Sequence, residues 1–353
     1  MSDLIEQTLA AIQPVSERAA AAAQQMSDMK TKPQGALGRL EELACRLAAA
    51  RGSAMPQVAR KVIVVMAADH GVTAEGVSAY PAEVTPQMVH NFVRGGAGIN
   101  VLARQAGARV VVVDMGVRGT NDFGAGVISM KIADGTANMA QGPAMSREQA
   151  EKAVESGIAL AIALAEEGLD VIGTGDMGIG NTSPASAIVA ALRRVKPAEV
   201  TGRGTGIDDV TLARKIKIIE RALEVNRPDP SDPMDVLAKV GGFEIGGLCG
   251  LMLGAASVRV PVVVDGHISG AAALLAVRMA PKAREYMIAA HRSVEVGHRL
   301  ALEELGAPPL LDLGMRLGEG TGAALAMLLI EAAMRVQTEM ATFASAGVSE
   351  KKT

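Results

Sequence analysis

Gly318, Glu319, Gly320, Thr321 and Gly322 place one carboxylate between glycines at a helix start, an arrangement with two chemical readings. A helix amino terminus favours the ionised form, so Glu319 reads first as a capping residue. The second reading is a general base. Leu311, Leu313, Met315 and Leu317 lead into the motif, and desolvation by such an apolar approach raises a carboxyl pKa toward the neutral range where proton abstraction is efficient. Spacing alone does not choose between the two.

Gly173, Gly175 and Gly178 spell G-x-G-x-x-G directly after an apolar run, the dinucleotide-binding pattern in its usual local context. The acid that pattern needs about 20 residues further on is poorly met by Arg193, Arg194, Val195, Lys196, Pro197, Ala198 and Glu199. A phosphate-binding turn therefore fits better than an NAD site. Asn181, Thr182 and Ser183 follow at once and supply a helix start whose free N–H groups suit an anion. The competing reading of each glycine is a tight turn that needs it only for backbone geometry. A second glycine-rich turn, Thr201–Gly206, precedes Asp208, Asp209 and Lys215. It reads as a further phosphate or ribose contact, with a capped helix entrance as the alternative for the two acids.

Other chemistries drop out. His70, His90, His267, His291 and His298 contain no i, i+4 pair of the helical zinc type, and no H-E-x-x-H pattern occurs. His70, after a strand, reads as a hydrogen-bonded loop histidine, with contact to a ligand as the alternative. There is no G-x-S-x-G elbow and no P-loop ending in Lys and Ser or Thr. The 35 basic less 38 acidic residues give a formal charge of −3, which argues against nucleic acid as a partner. Cys45 and Cys249 are too few and too far apart for a disulfide framework, as suits a reducing, cytoplasmic setting. No stretch reaches the ~20 apolar residues of a membrane span.

The elements that must position these groups follow from the hydrophobic pattern. The 353 residues are 49% apolar but only 2% aromatic, so the core is aliphatic. Lys61–Ala68 is a continuous β-branched run ending in Asp69, His70 and Gly71, and the same shape recurs at Val110–Val113, Leu169–Ile172 and Val260–Val264. Helical stretches separate these runs, among them Ser146–Glu167 and Glu244–Ser257. Solid apolar strands alternating with helices predict an α/β fold with a parallel sheet covered on both faces and ligands beyond the strands' carboxyl ends. Residues 3–29 read as helix with a break at Pro14, residues 37–50 as helix, and Leu317–Ala341 as one Ala-rich helix before a charged, frayed tail, Val348–Thr353. Both ends being helical, residues 1–55 plus 325–353 are expected to form a small helical domain, and 56–324 a large α/β domain.

Several segments together resemble the nicotinate-nucleotide:dimethylbenzimidazole phosphoribosyltransferase family. They are KPQGALGRLEELA (32–44), ADHGVTAEGVSAYPAEVTPQMVHNFVRGGAGIN (68–100), GPAMSREQA (142–150), GDMGIGNT (175–182), GRGTGIDD (202–209), VGGFEIGGLCG (240–250), RVPVVVDGHISGAAALLA (259–276), AHRSVEVGH (290–298) and PLLDLGMRLGEGTGAALA (309–326). The resemblance implies a homodimer with a Rossmann-like parallel sheet. It also implies transfer of ribose 5-phosphate from nicotinate mononucleotide to a benzimidazole nitrogen, with inversion at the anomeric carbon and no cofactor or metal, for cobalamin biosynthesis.

Carried over by position, the resemblance makes Glu319 the catalytic base and Asp176 its supporting acid, a departure because the family usually has Glu there. The base site falls on Ser78, Tyr80, Gln87, Met177 and Leu317. The nucleotide and phosphate site falls on Gly175, Gly178, Asn181, Thr182, Gly202, Gly204, Lys215, Asp265 and Ser293. His267 stands where an apolar aromatic is common. Readings of a different class are an NAD-binding oxidoreductase built on Gly173–Gly178 and a non-catalytic nucleotide sensor.

Overall fold

The computed structural model describes residues 1–119, 122–204 and 206–349; Thr205 of the second glycine turn and residues 350–353 of the charged tail lie outside them. Lys61–Ala68 forms β1 with every residue buried, as its unbroken apolar run predicts. It is joined by β2 (Ala108–Gly116), β3 (Val127–Ser129), β4 (Val171–Met177), β5 (Val262–Val264) and β6 (Met287–Ala289). Among the described residues these six strands lie in the order β3-β2-β1-β4-β5-β6, and every pair is parallel. This is the doubly wound, Rossmann-like order. Winding runs outward from β1 to β3, returns to β4 on the other side of β1, and so opens a crevice beyond the carboxyl ends beside the reversal.

Side chains of β1 alternate between two cores. Val62, Val64 and Met66 pack in one layer with α1 (Asp3–Ala11), α6 (Arg147–Glu166), α7 (Thr182–Arg193), α8 (Asp209–Asn226), α9 (Pro233–Val240), α10 (Phe243–Ser257), α11 (His267–Met279) and α12 (Val296–Leu305). Ile63, Val65 and Ala67 pack in the other with α3 (Arg39–Arg51), α4 (Val84–Arg94), α5 (Gly98–Ala106) and α13 (Thr321–Glu339). The remaining helices are α2 (Glu17–Asp28), which follows the break at Pro14, and α14 (Phe343–Ala346). The two ends of the chain meet: Gln337 Nε2 donates to the Ala23 carbonyl at 2.8 Å and Lys30 Nζ to that of Met340 at 2.7 Å.

Three expectations shift. The strand expected at Leu169–Ile172 begins at Val171 and runs on to Met177, so Gly173 and Gly175 are strand residues instead of turn residues. Their missing side chains admit α13 and its leading loop: a Cβ at Gly173 would stand 3.0 Å from Met327 Cε and 3.2 Å from Ala323 Cβ. The last long helix starts at Thr321, four residues later than its apolar pattern predicts, because Gly318, Glu319 and Gly320 all adopt positive φ. Asp208 caps α8 by accepting the Thr211 N–H at 2.8 Å, which is the capped-entrance alternative for that acid.

Candidate active site

Beyond the carboxyl ends of β4, β5 and β6 lies a cavity of about 710 Å³. The ends of β4 and β5 deliver Asp176, Met177 and Gly178, and Gly266 and His267. The segments after β6 deliver His291, Ser293, Glu295, Arg316, Leu317 and Glu319. Asn181 and Thr182, at the start of α7, and Gly204 of the second glycine turn complete its polar part. Tyr80, Val84, Met88 and Ile179 supply apolar wall.

Glu319 is 5% exposed and holds φ +61°, between Gly318 at +78° and Gly320 at +86°. A glutamate in the left-handed region costs about 1–3 kcal/mol and persists only where its surroundings impose it. They do so here. The Gly318 carbonyl accepts from Thr321 N at 3.0 Å and Thr321 Oγ1 at 2.8 Å, and Asp265, fully buried at the end of β5, accepts the Ala323 N–H at 2.9 Å. Gly320 has no side chain with which to cap α13, and Asp265 does so from across the fold.

The Glu319 carboxylate points away from its own helix, and Oε2 accepts the Ile99 N–H at 3.2 Å, in the first turn of α5. Burial raises its pKa and the Ile99 hydrogen bond opposes the rise, with burial prevailing. Leu313 and Leu317 are each 60% exposed, yet Leu317 Cδ2 and Glu319 Oε2 both approach Gly98, 2.9 and 3.5 Å from the position of a Cβ there, so one leucine of the apolar approach does stand beside the carboxylate.

Asp176, 8% exposed, accepts from Asn181 Nδ2 at 2.9 Å. Its carboxyl oxygens stand 3.2 and 3.3 Å from the position of a Cβ at Gly318. Burial first, then the neighbouring Asp265 carboxylate, pushes its pKa up to about 8. Asp265 is itself raised to about 7 by burial. Lys215 is 1% exposed and lies behind Thr182; its Nζ donates to Thr182 Oγ1 at 2.7 Å and to the Gly202 carbonyl at 3.3 Å. Burial lowers its pKa to about 8, with Glu295 opposing. His267 is neutral, its pKa lowered to about 3 by burial. Ser186 Oγ donates to the Val200 carbonyl at 3.1 Å, so His267 Nε2, 3.1 Å from Ser186 Oγ, carries the proton and donates it to that hydroxyl.

Of the residues expected at the site, Glu319, Asp176, Tyr80, Met177, Leu317, Gly178, Asn181, Thr182, Gly204 and Ser293 line the cavity. Ser78 stands behind Tyr80, accepting its N–H at 3.2 Å. Gln87 is exposed on α4, where Val84 and Met88, four residues apart, take the inward face. Gly175, Gly202, Lys215 and Asp265 form a layer behind the lining. His70 is the buried loop histidine expected, with Nε2 2.8 Å from Glu244 Oε1. Sequence reading passed over Glu295 and Arg316. Their signal was proximity alone, Glu295 two residues after Ser293 and Arg316 three before Glu319.

A doubly wound sheet with a switch-point cavity, a glycine turn backed by a buried lysine, and a desolvated carboxylate define a nucleotide-handling α/β enzyme. Residues 12–348 match the model of a family described as Phosphoribosyltransferase, and the chain belongs to it. It is 59% identical over 349 residues, 99% of each chain, to the nicotinate-nucleotide–dimethylbenzimidazole phosphoribosyltransferase of Chloroflexus aggregans. To the protein of the same name from Geobacter metallireducens it is 59% identical over 98% of each chain. The crystal structure of CobT from Thermus thermophilus is 50% identical and superposes with a TM-score of 0.91, covering 95% of this chain and 100% of that one.

Proposed function

We propose that the chain transfers ribose 5-phosphate from nicotinate mononucleotide to 5,6-dimethylbenzimidazole or a related base, giving α-ribazole 5′-phosphate and nicotinate for cobalamin biosynthesis. One observation carries this reading: a single cavity holds both a buried carboxylate of raised pKa, Glu319, and a glycine turn with a lysine behind it, Gly204 and Lys215. Family membership counts against the oxidoreductase and sensor readings, and the placement of Gly173 and Gly175 inside β4 counts against the oxidoreductase.

In the proposed reaction the bond between the anomeric carbon and the pyridinium nitrogen breaks, its electron pair leaving with nicotinate. That leaving group is neutral at nitrogen and needs little acid help. A ring nitrogen of the acceptor attacks the anomeric carbon, and the acceptor's ring N–H passes its proton to Glu319. A positioned carboxylate contributes roughly 10²- to 10⁴-fold, about 3–5 kcal/mol of barrier. Gly204, Thr182 and Ser293 hold the phosphate, with the Lys215 charge behind Thr182, and so fix the sugar against the acceptor. Tyr80, Val84, Met88 and Leu317 cover the flat base. Asp176, protonated at neutral pH by its raised pKa, relieves the charge repulsion that three ionised lining carboxylates would exert on an anionic donor.

Further parts of the proposal are a homodimer, a cytoplasmic location, and the division into a small helical domain (1–55 plus 325–353) and a large domain (56–324). Support for the division is the Gln337–Ala23 and Lys30–Met340 contacts. Among the described residues no helix is long and apolar enough to cross a membrane. The test of function is incubation with nicotinate mononucleotide and dimethylbenzimidazole, followed by mass analysis. Equimolar nicotinate and α-ribazole phosphate are expected; binding without turnover contradicts the proposal.

A further inference from the structure

Gly204 is gripped from both sides by opposite charges. Its N–H donates to Glu295 Oε1 at 2.8 Å, and its carbonyl accepts from Arg316 Nη1 at 2.8 Å. The residue holds φ +51°, and a Cβ there would stand 2.9 Å from Thr182 Oγ1 and 3.5 Å from Lys215 Nζ. Glu295 is 6% exposed and lines the cavity, yet its Oε2 has no hydrogen-bond partner among the described residues. A Cβ at Gly202 would collide with that same oxygen, so both glycines of the turn accommodate the arrangement. The Glu295 N–H donates to Ser293 Oγ at 3.3 Å. A carboxylate therefore sits among the groups assigned above to the donor's phosphate, and it engages the Gly204 N–H.

Resting on the phosphoribosyl-transfer reading, we propose that Glu295 is a specificity-determining residue: its carboxylate and the substrate's phosphate compete for the Gly204 N–H. A phosphate dianion enters by displacing Glu295, and it can do so because it exchanges one hydrogen bond, with a stranded second oxygen, for several. Its three terminal oxygens can take the Gly204 N–H, the Ser293 hydroxyl and the lysine-backed Thr182 hydroxyl together, and charge-assisted bonds of this kind are about twice as strong as neutral ones. A singly charged or uncharged group makes no such exchange and leaves Glu295 in place. On the way out the sequence runs in reverse. The product still carries its phosphate, and the returning carboxylate competes it off the turn.

The competition makes a prediction opposite in sign to that of a residue serving only the fold or contacting the ribose: removing the charge on Glu295 tightens phosphate. The experiment is titration calorimetry of the full-length wild-type, Glu295→Gln and Glu295→Asp proteins with inorganic phosphate, nicotinate mononucleotide and phosphate-free nicotinate riboside, with steady-state rates alongside. Glu295→Gln keeps the shape and replaces a charged acceptor by a neutral one. Inorganic phosphate and the mononucleotide are expected to bind roughly tenfold more tightly, the scale of one charge-assisted bond made neutral. The riboside should bind within about twofold of wild type, and kcat should fall as the product leaves more slowly. Glu295→Asp keeps the charge but is one methylene short of the Gly204 N–H, and it is expected to tighten phosphate less than the glutamine variant.

Phosphate affinity that is unchanged or weaker in a Glu295→Gln protein of normal melting temperature overturns the proposal. So does equal tightening of the riboside. Because the calorimetry needs no turnover, a wild-type protein that releases no nicotinate while the phosphate affinities shift as expected would sink the transferase reading and leave the competition standing.

Discussion

The carbonyl oxygen of Glu319 lies 2.5 Å from the point where a Cβ on Gly175 would stand. The loop that carries the candidate base thus rests directly on β4, and only glycine at 175 lets it approach. Gly175 is an ordinary strand residue without positive φ, so a substitution there acts through this contact and not through backbone strain. Gly175→Ala is expected to destabilise by about 1–3 kcal/mol, the range for overpacking. It should also lower kcat by roughly 10²-fold, the cost of a carboxylate displaced by about an ångström. Thermal melting together with steady-state kinetics checks both; a variant with normal turnover would show that the Glu319 loop tolerates displacement.

Asp176 links the site to stability. Its pKa is about 8 in the fold against about 3.9 for an unperturbed aspartate, so between those values the folded chain binds the extra proton. By linkage, folding stability from this residue is full below about pH 4 and is lost as pH rises toward 8. Asp176→Asn, which preserves an acceptor for Asn181, is expected to raise the melting temperature at pH 8 and leave it unchanged near pH 4. Measurement at the two pH values decides; equal shifts at both would remove the buried proton from the account.

Lys215 titrates in the same region with the opposite consequence. Burial sets its pKa near 8, so its charge, which Thr182 relays toward the phosphate, disappears above that pH. The KM for nicotinate mononucleotide is expected to rise roughly tenfold or more above pH 8, the scale of a lost charged hydrogen bond. Lys215→Met should show the raised KM already at pH 7 and a flatter dependence above it. A pH profile of KM for both proteins is the check, and parallel profiles would contradict the assignment.

Much of this architecture is legible in the sequence because a parallel strand buried on both faces writes itself as a solid apolar run. β1, β2 and β5 were readable for that reason. β3 and β6 were not: each is a three-residue strand at a sheet edge, and neither carries a solid β-branched run like the Val260–Val264 run that marks the equally short β5. Gly173 and Gly175 mislead because spacing cannot separate a glycine that turns from one that lets a neighbouring loop approach. The choice between cap and base at Glu319 was undecidable in one dimension. The helix terminus its carboxylate meets belongs to α5, 220 residues away. Glu295 and Arg316 escaped notice because Gly204, which they hold, is 91 and 112 residues distant.

Whether Glu319 takes the acceptor's proton is decided by the single-turnover rate of Glu319→Gln. Glutamine keeps the length and an acceptor for the Ile99 N–H but has no useful basicity. The expected result is a rate at least ~100-fold below wild type with unchanged affinity for nicotinate mononucleotide. A rate close to wild type would place the proton acceptor elsewhere and contradict the mechanism.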